Sequence, residues 1–406
     1  MNPFLKNYSS TLLLVCFLAL GALTGVFWPQ AASYVKPIGD IFMNLLFVLI
    51  IPLVFFSVST SFRKMNDGGS VKKTLTLMFL SFMALWLFSA LFAYLGVTLI
   101  NPLDQMSSNM ARPEINQDGG SWQESLSGAF TVDDFPKLFS KFSLLPLIVF
   151  SALIGLGVSR SGEKGKRFSD FLESGTSVTE STMSYLMKLA PLGLGCYFAY
   201  TVSSVGSDLL KGYLRSYLLY LALSLIVIFI VFPLVVRLLR GRGSVKEWWR
   251  HILHPSLTAM ATQSSCAAIP GNIEAAKRMG ISGTIAETII PVGTNLLKAG
   301  SVMGGVIKVA FLMSLCSITY LSPGAAATAI SLAILSAVVT GAVIGGNVTG
   351  EILTCTMLGI DPGYAGLIII IGTIIDMPAT FINSQSTVIA AIMVDKGTRS
   401  KDQANS

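Results

Sequence analysis

The stretch Leu367–Val394 reads LIIIIGTIIDMPATFINSQSTVIAAIMV, and its reading decides the class of fold. At about 1.5 Å rise per residue it is long enough to cross a bilayer as one helix. One acid, Asp376, lies inside the run. Insertion scales put an aspartate at mid-membrane at about 2.5–3.5 kcal/mol, so Asp376 is not expected to face lipid. Thr380, Asn383 and Thr387 follow at +4, +7 and +11 and share its face of the helix. Pro378 removes a backbone donor and exposes a carbonyl near the acid. This face reads as a solute site at mid-depth. The alternative is a polar stripe that only joins helices.

Composition sets the surroundings of that helix. Over 406 residues the chain is 52% hydrophobic and 12% charged, the balance of a polytopic helical membrane protein. Its net charge of +7 sits mostly in loops, where it reports orientation and implies no nucleic-acid partner. Cys16, Cys196, Cys266, Cys316 and Cys355 are scattered through apolar segments without a CxxC, so neither a disulfide framework nor a zinc site is implied. His251 and His254, beside Trp248-Trp249, read as interfacial residues and not as metal ligands. No nucleophile–base pair, metal cluster or phosphate loop is present in the pattern, so an enzyme and a cofactor are not expected.

Upstream, the apolar runs are punctuated by basic loops. The first span, about 12–27, ends at Trp28-Pro29 in the manner of an interfacial anchor; a signal peptide is the other reading of that segment. Spans at 38–62 and 75–100 follow, then a polar loop, 104–134. The short run 144–158 reads as the last leg of a broken fourth span that starts near Phe135, and 168–205, with Pro191 at its centre, begins as an amphipathic run into the fifth. The sixth covers 213–239. Bases cluster after spans two, four and six and again at Lys396, Arg399 and Lys401. The positive-inside rule then places both termini in the cytoplasm and requires an even number of crossings.

From His254 onward the segments become short, broken and rich in Gly, Ser and Thr. ATQSSCAAIP (261–270) is small and hydroxylated; 281–311 is interrupted by Pro291, Gly293, Asn295, Lys298 and Gly300; 331–358 carries TGAVIGGNVTG (340–350) and a further acid, Glu351. Irregular backbone at membrane depth is tolerated only inside protein or along a wet cavity. Two interrupted hairpins, each followed by a helix with polar breaks, form the repeat signature of secondary transporters. The expected fold is all-α and polytopic, with eight transmembrane helices and two re-entrant helical hairpins.

Four stretches in register resemble the dicarboxylate/amino acid:cation symporters, the glutamate-transporter-like carriers. ATQSSCAAIP is similar to the serine-rich tip of the first hairpin, PVGTNLLKAGS (291–301) to the unwound seventh helix, TGAVIGGNVTG to the gating tip of the second hairpin, and DMPATFINSQST (376–387) to the substrate-binding eighth helix. The resemblance implies a homotrimer in a cell (inner) membrane. It implies a six-helix part, 1–240, with helices 1, 2, 4 and 5 as scaffold and 3 and 6 in the transport domain. A transport core, 254–396, and a cytoplasmic tail, 397–406, complete it. By the same resemblance Asp376 holds a substrate ammonium, Ser264, Ser265 and the hairpin backbone hold a carboxylate, and Cys266 lines the same tip. Thr380 and Asn383 complete the site, and Gly345, Gly346 and Asn347 close over it.

The departures set the expected solute. Ala379 stands where acidic-substrate members place an arginine, and alanine cannot give its bidentate recognition. Gln263 replaces a basic residue that some members carry in the first hairpin tip, Thr387 replaces an acid, and the family's Asn-Met-Asp-Gly becomes Leu297-Lys298-Ala299-Gly300. The expectation is a secondary carrier of a neutral amino acid or similar zwitterion, working without sodium. Lys298 takes the place of a bound cation, and Glu351 and Thr387 join it in coupling. Alternatives are a proton- or sodium-coupled symporter of another small organic solute, a non-transporting sensor, or an ion channel.

Overall fold

A computed structural model describes residues 3–64, 72–100, 131–140, 143–205, 207–316, 318–340 and 347–402. No β-strand occurs among them. The order is α1 (Pro3–Phe27), α2 (Pro29–Lys64), α3 (Lys72–Leu99), α4 (Leu144–Arg160), α5 (Lys166–Lys188), α6 (Ala190–Val205), α7 (Ser207–Ile226) and α8 (Phe232–Arg240). Then come α9 (Ser244–Thr262), α10 (Ile269–Arg278), α11 (Gly283–Leu296), α12 (Ala299–Leu315), α13 (Pro323–Thr340), α14 (Asn347–Met357) and α15 (Ala365–Asp402). The polar loop at 104–134 and the second glycine-rich tip, with Gly345 and Gly346, lie outside the described residues except for 131–134.

Six helices among the described residues are long and apolar enough to cross a membrane: Pro29–Thr60, Thr76–Leu99, Leu209–Arg240, Gly283–Leu315, Pro323–Thr340 and Pro362–Thr398. Two shorter apolar helices, Cys16–Phe27 and Pro146–Arg160, accompany them. Local chemistry explains most boundaries. Trp28 separates α1 from α2, and Pro29 opens α2, where its missing N–H costs nothing. Pro37, Pro52 and Pro378 stay inside helices. Pro233 follows a π-helical segment, Val227–Val231, that joins α7 to α8 and accommodates the ring and its lost donor. The fourth span is broken as the sequence suggests: Phe135–Phe139 is a separate 3₁₀ turn, and α4 starts at Leu144. The first arm ahead of the second tip begins at Pro323, earlier than the expected 331.

The chain forms two compact units, each discontinuous in sequence: 1–70, 105–211 and 343–370 in the first, 71–104, 212–342 and 371–406 in the second. In the first, α1 packs on α6, and α2 on α4, α5 and α6. A side chain on Gly21 would strike the carbonyl of Gly195, and one on Gly25 would come within 2.5 Å of the Ala199 carbonyl. Small residues one turn apart on each helix therefore let the two backbones touch, the usual source of packing where lipid supplies no hydrophobic drive. In the second unit α12 is central. It packs against α3 and α13 and is buried nearly all round, which matches its lack of a polar face. The arms α9 and α10 pack together, with Gly271 against Pro255.

Candidate functional site

The second unit's polar residues gather where α12 begins. Between α11 and α12 the backbone leaves the helix at Leu297 (φ −84°, ψ 95°) and Lys298 (φ −114°, ψ 58°), the unwound point that the sequence anticipates. Breaking a helix strands the N–H groups of the new first turn. Asn383 on α15 meets them: its Oδ1 accepts from Gly300 N at 2.8 Å and Ser301 N at 3.3 Å, and its Nδ2 donates to Ser301 Oγ at 3.1 Å. Gly300 is required there, because a Cβ would lie 2.5 Å from the Ala379 carbonyl oxygen and 2.9 Å from its Cα.

Asn383 thus acts first as a brace between two helices. Replacing it with alanine strands the buried N–H of Gly300 and the part-buried N–H of Ser301, and we expect a loss of about 2–4 kcal/mol, read as a clear fall in the unfolding midpoint. An unchanged midpoint would remove Asn383 from this role.

Lys298 is only 5% exposed. Its ammonium has the Cys266 thiol and Asp376 as electrostatic neighbours, so the helix break, the first hairpin tip and α15 meet at one locus. The position is electrically unusual. Lys298 caps the N-terminus of α12, the positive end of the helix dipole, and α12 has no acid in its first turn. A lysine adds charge of the same sign. The acid Asp376 and the base Lys298 therefore bring opposite charges to one locus.

Tyr220 on α7 belongs to the same group, and sequence reading missed it. Its hydroxyl donates to the Gly300 carbonyl at 3.0 Å, and Asp376 is among its electrostatic neighbours. The signal was a tyrosine in an apolar span with Ser216 and Ser224 one turn to either side; all three are buried. Asn272 of α10 was missed as well. It is fully buried and donates to Ser384 Oγ at 2.9 Å, which ties the first hairpin to α15.

Other expected site residues are placed as follows. Gln263 ends α9 in the left-handed region (φ 51°), which no other non-glycine residue adopts among those described. That conformation costs about 1–2 kcal/mol and marks the turn at the tip. Ser265 is buried just ahead of the 3₁₀ turn Cys266–Ala268, Ser264 is partly buried and Cys266 is exposed. Asp376 is partly exposed. Ala379 and Thr380 are buried at 3% and 4% exposure. Thr387 is fully buried, its hydroxyl turned back to the Ser384 carbonyl at 2.8 Å and its methyl facing Gly293. Asn347 opens α14, and Glu351, 1% exposed on that helix, belongs to the first unit. No group of three His, Cys, Asp or Glu side chains converges among the described residues.

Comparison with known proteins follows this geometry. The model of the sodium:dicarboxylate symporter family matches residues 11–397. A C4-dicarboxylate transport protein of Bacillus subtilis (strain 168) is 26% identical over 300 residues, covering 72% of this chain and 70% of the relative. One from Rhizobium leguminosarum is 27% identical over 296 residues, covering 70% and 65%. A proton/sodium-glutamate symport protein of Bacillus subtilis (strain 168) is 26% identical over 395 residues, covering 93% and 90%. The matched region therefore spans about two thirds of the dicarboxylate relatives and most of the glutamate one.

Proposed function

The chain belongs to the sodium:dicarboxylate symporter family, as an all-α, multi-pass membrane protein, and we propose that it carries a small zwitterion, a neutral amino acid or close analogue, by alternating access. The observation that carries this reading is the meeting of Asp376, Lys298 and the Cys266 tip in one unit. Asp376 takes the solute's ammonium. Ser264, Ser265 and Cys266 take its carboxylate, helped by the positive end of α12 and by Lys298. Thr380 lines the site and Asn383 holds the break that shapes it. Ala379 supplies no second positive charge for a side-chain carboxylate, and its burial means that an arginine there would have to displace packed neighbours.

The same electrostatics argue against sodium. A sodium ion at this break would give up water for few oxygen ligands beside a like charge. Lys298 serves as a built-in cation, with Glu351 and Thr387 as the remaining coupling positions. The division into two compact units supports a moving part and a scaffold: the second unit holds α3, most of α7, α8–α13 and most of α15, and the first holds α1, α2, α4–α6, α14 and the start of α15. At about 15 Å, α10 is too short to cross a bilayer, which supports a re-entrant first hairpin. We read eight crossings, both termini in the cytoplasm, and a homotrimer.

A second reading rests on Lys298 itself. Its buried ammonium is able to take a second carboxylate, which would suit solutes of the kind named for the relatives. Competition against labelled serine uptake in proteoliposomes separates the two. Serine, alanine and cysteine are expected to compete at least about ten-fold better than aspartate or succinate, a margin of about 1.4 kcal/mol. Tighter binding of aspartate or succinate would establish the second reading in place of the first. Saturable counterflow marks a carrier; ohmic current marks a channel, and binding without flux a sensor.

A further inference from the structure

The second unit carries a strongly basic corner that the transport site does not use. The helix α8 ends in Arg237 and Arg240, and the turn Gly241–Gly243 folds the chain back into α9, which begins with Lys246 and Arg250. Gly241 (φ 89°) and Gly243 (φ 95°) both need the left-handed region, and Ser244 Oγ locks the turn by donating to the Gly241 carbonyl at 2.8 Å. Arg242 lies at the apex. Arg237, Arg242, Lys246 and Arg250 are exposed and Arg240 is half-buried.

None of these bases is ion-paired with a described residue, whereas Lys277 and Arg278 nearby are neutralised by Glu287 and Glu274. Glu247 is the only acid from Arg237 to Arg250. Directly along both helices the surface turns apolar: Phe229, Ile230, Leu234 and Leu238 are exposed on one, Leu253 and Leu257 on the other. Trp249 stacks on Phe229 with ring centroids 5.4 Å apart, which joins the two faces into one surface. Positive charge at one end, an indole at the border and bare leucines beyond match a phosphate headgroup, a glycerol level and an acyl chain in that order.

We propose that this corner is a binding site for an anionic phospholipid, its phosphate held by the bases around Arg242 and its chain lying along Leu234, Leu238 and Leu253. A free phosphate would not use the apolar wall, and a zwitterionic lipid would not use the unpaired charge. At about five-fold per base within reach of a headgroup, two bases give about twenty-five-fold, so a preference of at least about ten-fold is expected.

The test uses the full chain in detergent, titrated with brominated phosphatidylglycerol or brominated phosphatidylcholine, and reads quenching of tryptophan fluorescence. Trp249→Phe identifies the share of the signal that comes from this corner. The expected result is half-quenching of the Trp249 signal at about ten-fold less phosphatidylglycerol than phosphatidylcholine. That preference should vanish in Arg237→Gln/Arg242→Gln/Lys246→Gln/Arg250→Gln. Should that variant not fold, raising salt on the unmodified protein must shrink the preference instead. Equal quenching by both lipids, or a preference indifferent to both the substitutions and salt, would overturn the proposal.

Discussion

Asp376→Asn is expected to abolish solute binding, by a hundred-fold or so, while leaving the protein folded. Removing one partner of a desolvated charge pair costs about 2–5 kcal/mol in affinity, and roughly 2.7 kcal/mol is a hundred-fold. Asp376 is partly exposed and shares a face of α15 with Asn383, which meets the break between α11 and α12. Asparagine keeps its shape and some of its hydrogen bonds but not its charge. The measurement is ligand-dependent stabilisation of purified protein, because a bound solute raises the unfolding midpoint with its concentration. Loss of that shift with the protein still folded supports a ligand-binding acid. Collapse of the unliganded protein would mean that Asp376 instead serves as a structural partner of Lys298.

The second large effect belongs to Lys298. Lys298→Met is expected to cut uptake by about ten-fold or more with little loss of folded protein, since methionine fills the stem's volume and removes only the charge. Burying an ammonium beside the positive end of a helix works against stability, so the residue's presence there is best explained by what it does for the solute. Lys298→Arg keeps the charge and should recover part of the uptake. Full uptake in Lys298→Met would leave Lys298 without a transport role.

Much of this was legible in the sequence because bilayer helices announce themselves by length and composition. The Trp28-Pro29 boundary, the interruption at Leu297-Lys298 and the tip at Gln263 all fall where polar or helix-breaking residues enter apolar runs. What stayed hidden concerns partners. The spacing from Asp376 to Thr387 places four polar groups on one face but does not say what that face meets; Asn383 turns out to brace a backbone and Thr387 to bond its own helix. Tyr220 and Asn272 were missed because a single polar residue in an apolar span has no periodicity to betray it. Proline also misleads in membranes. Pro37 and Pro52 leave α2 unbroken, because neighbouring groups can satisfy what proline frees. Nor does sequence order reveal that the two compact units interleave along the chain, with boundaries at 342/343 and 370/371.

The most direct test of the whole reading is the ion dependence of uptake by the unmodified protein in proteoliposomes. With Lys298 as the resident cation, the initial rate of serine uptake should be the same in sodium, potassium and choline media at fixed pH and membrane potential. A rate that collapses when sodium is withdrawn would contradict it, because a cation site would then exist where the structure sets a buried lysine.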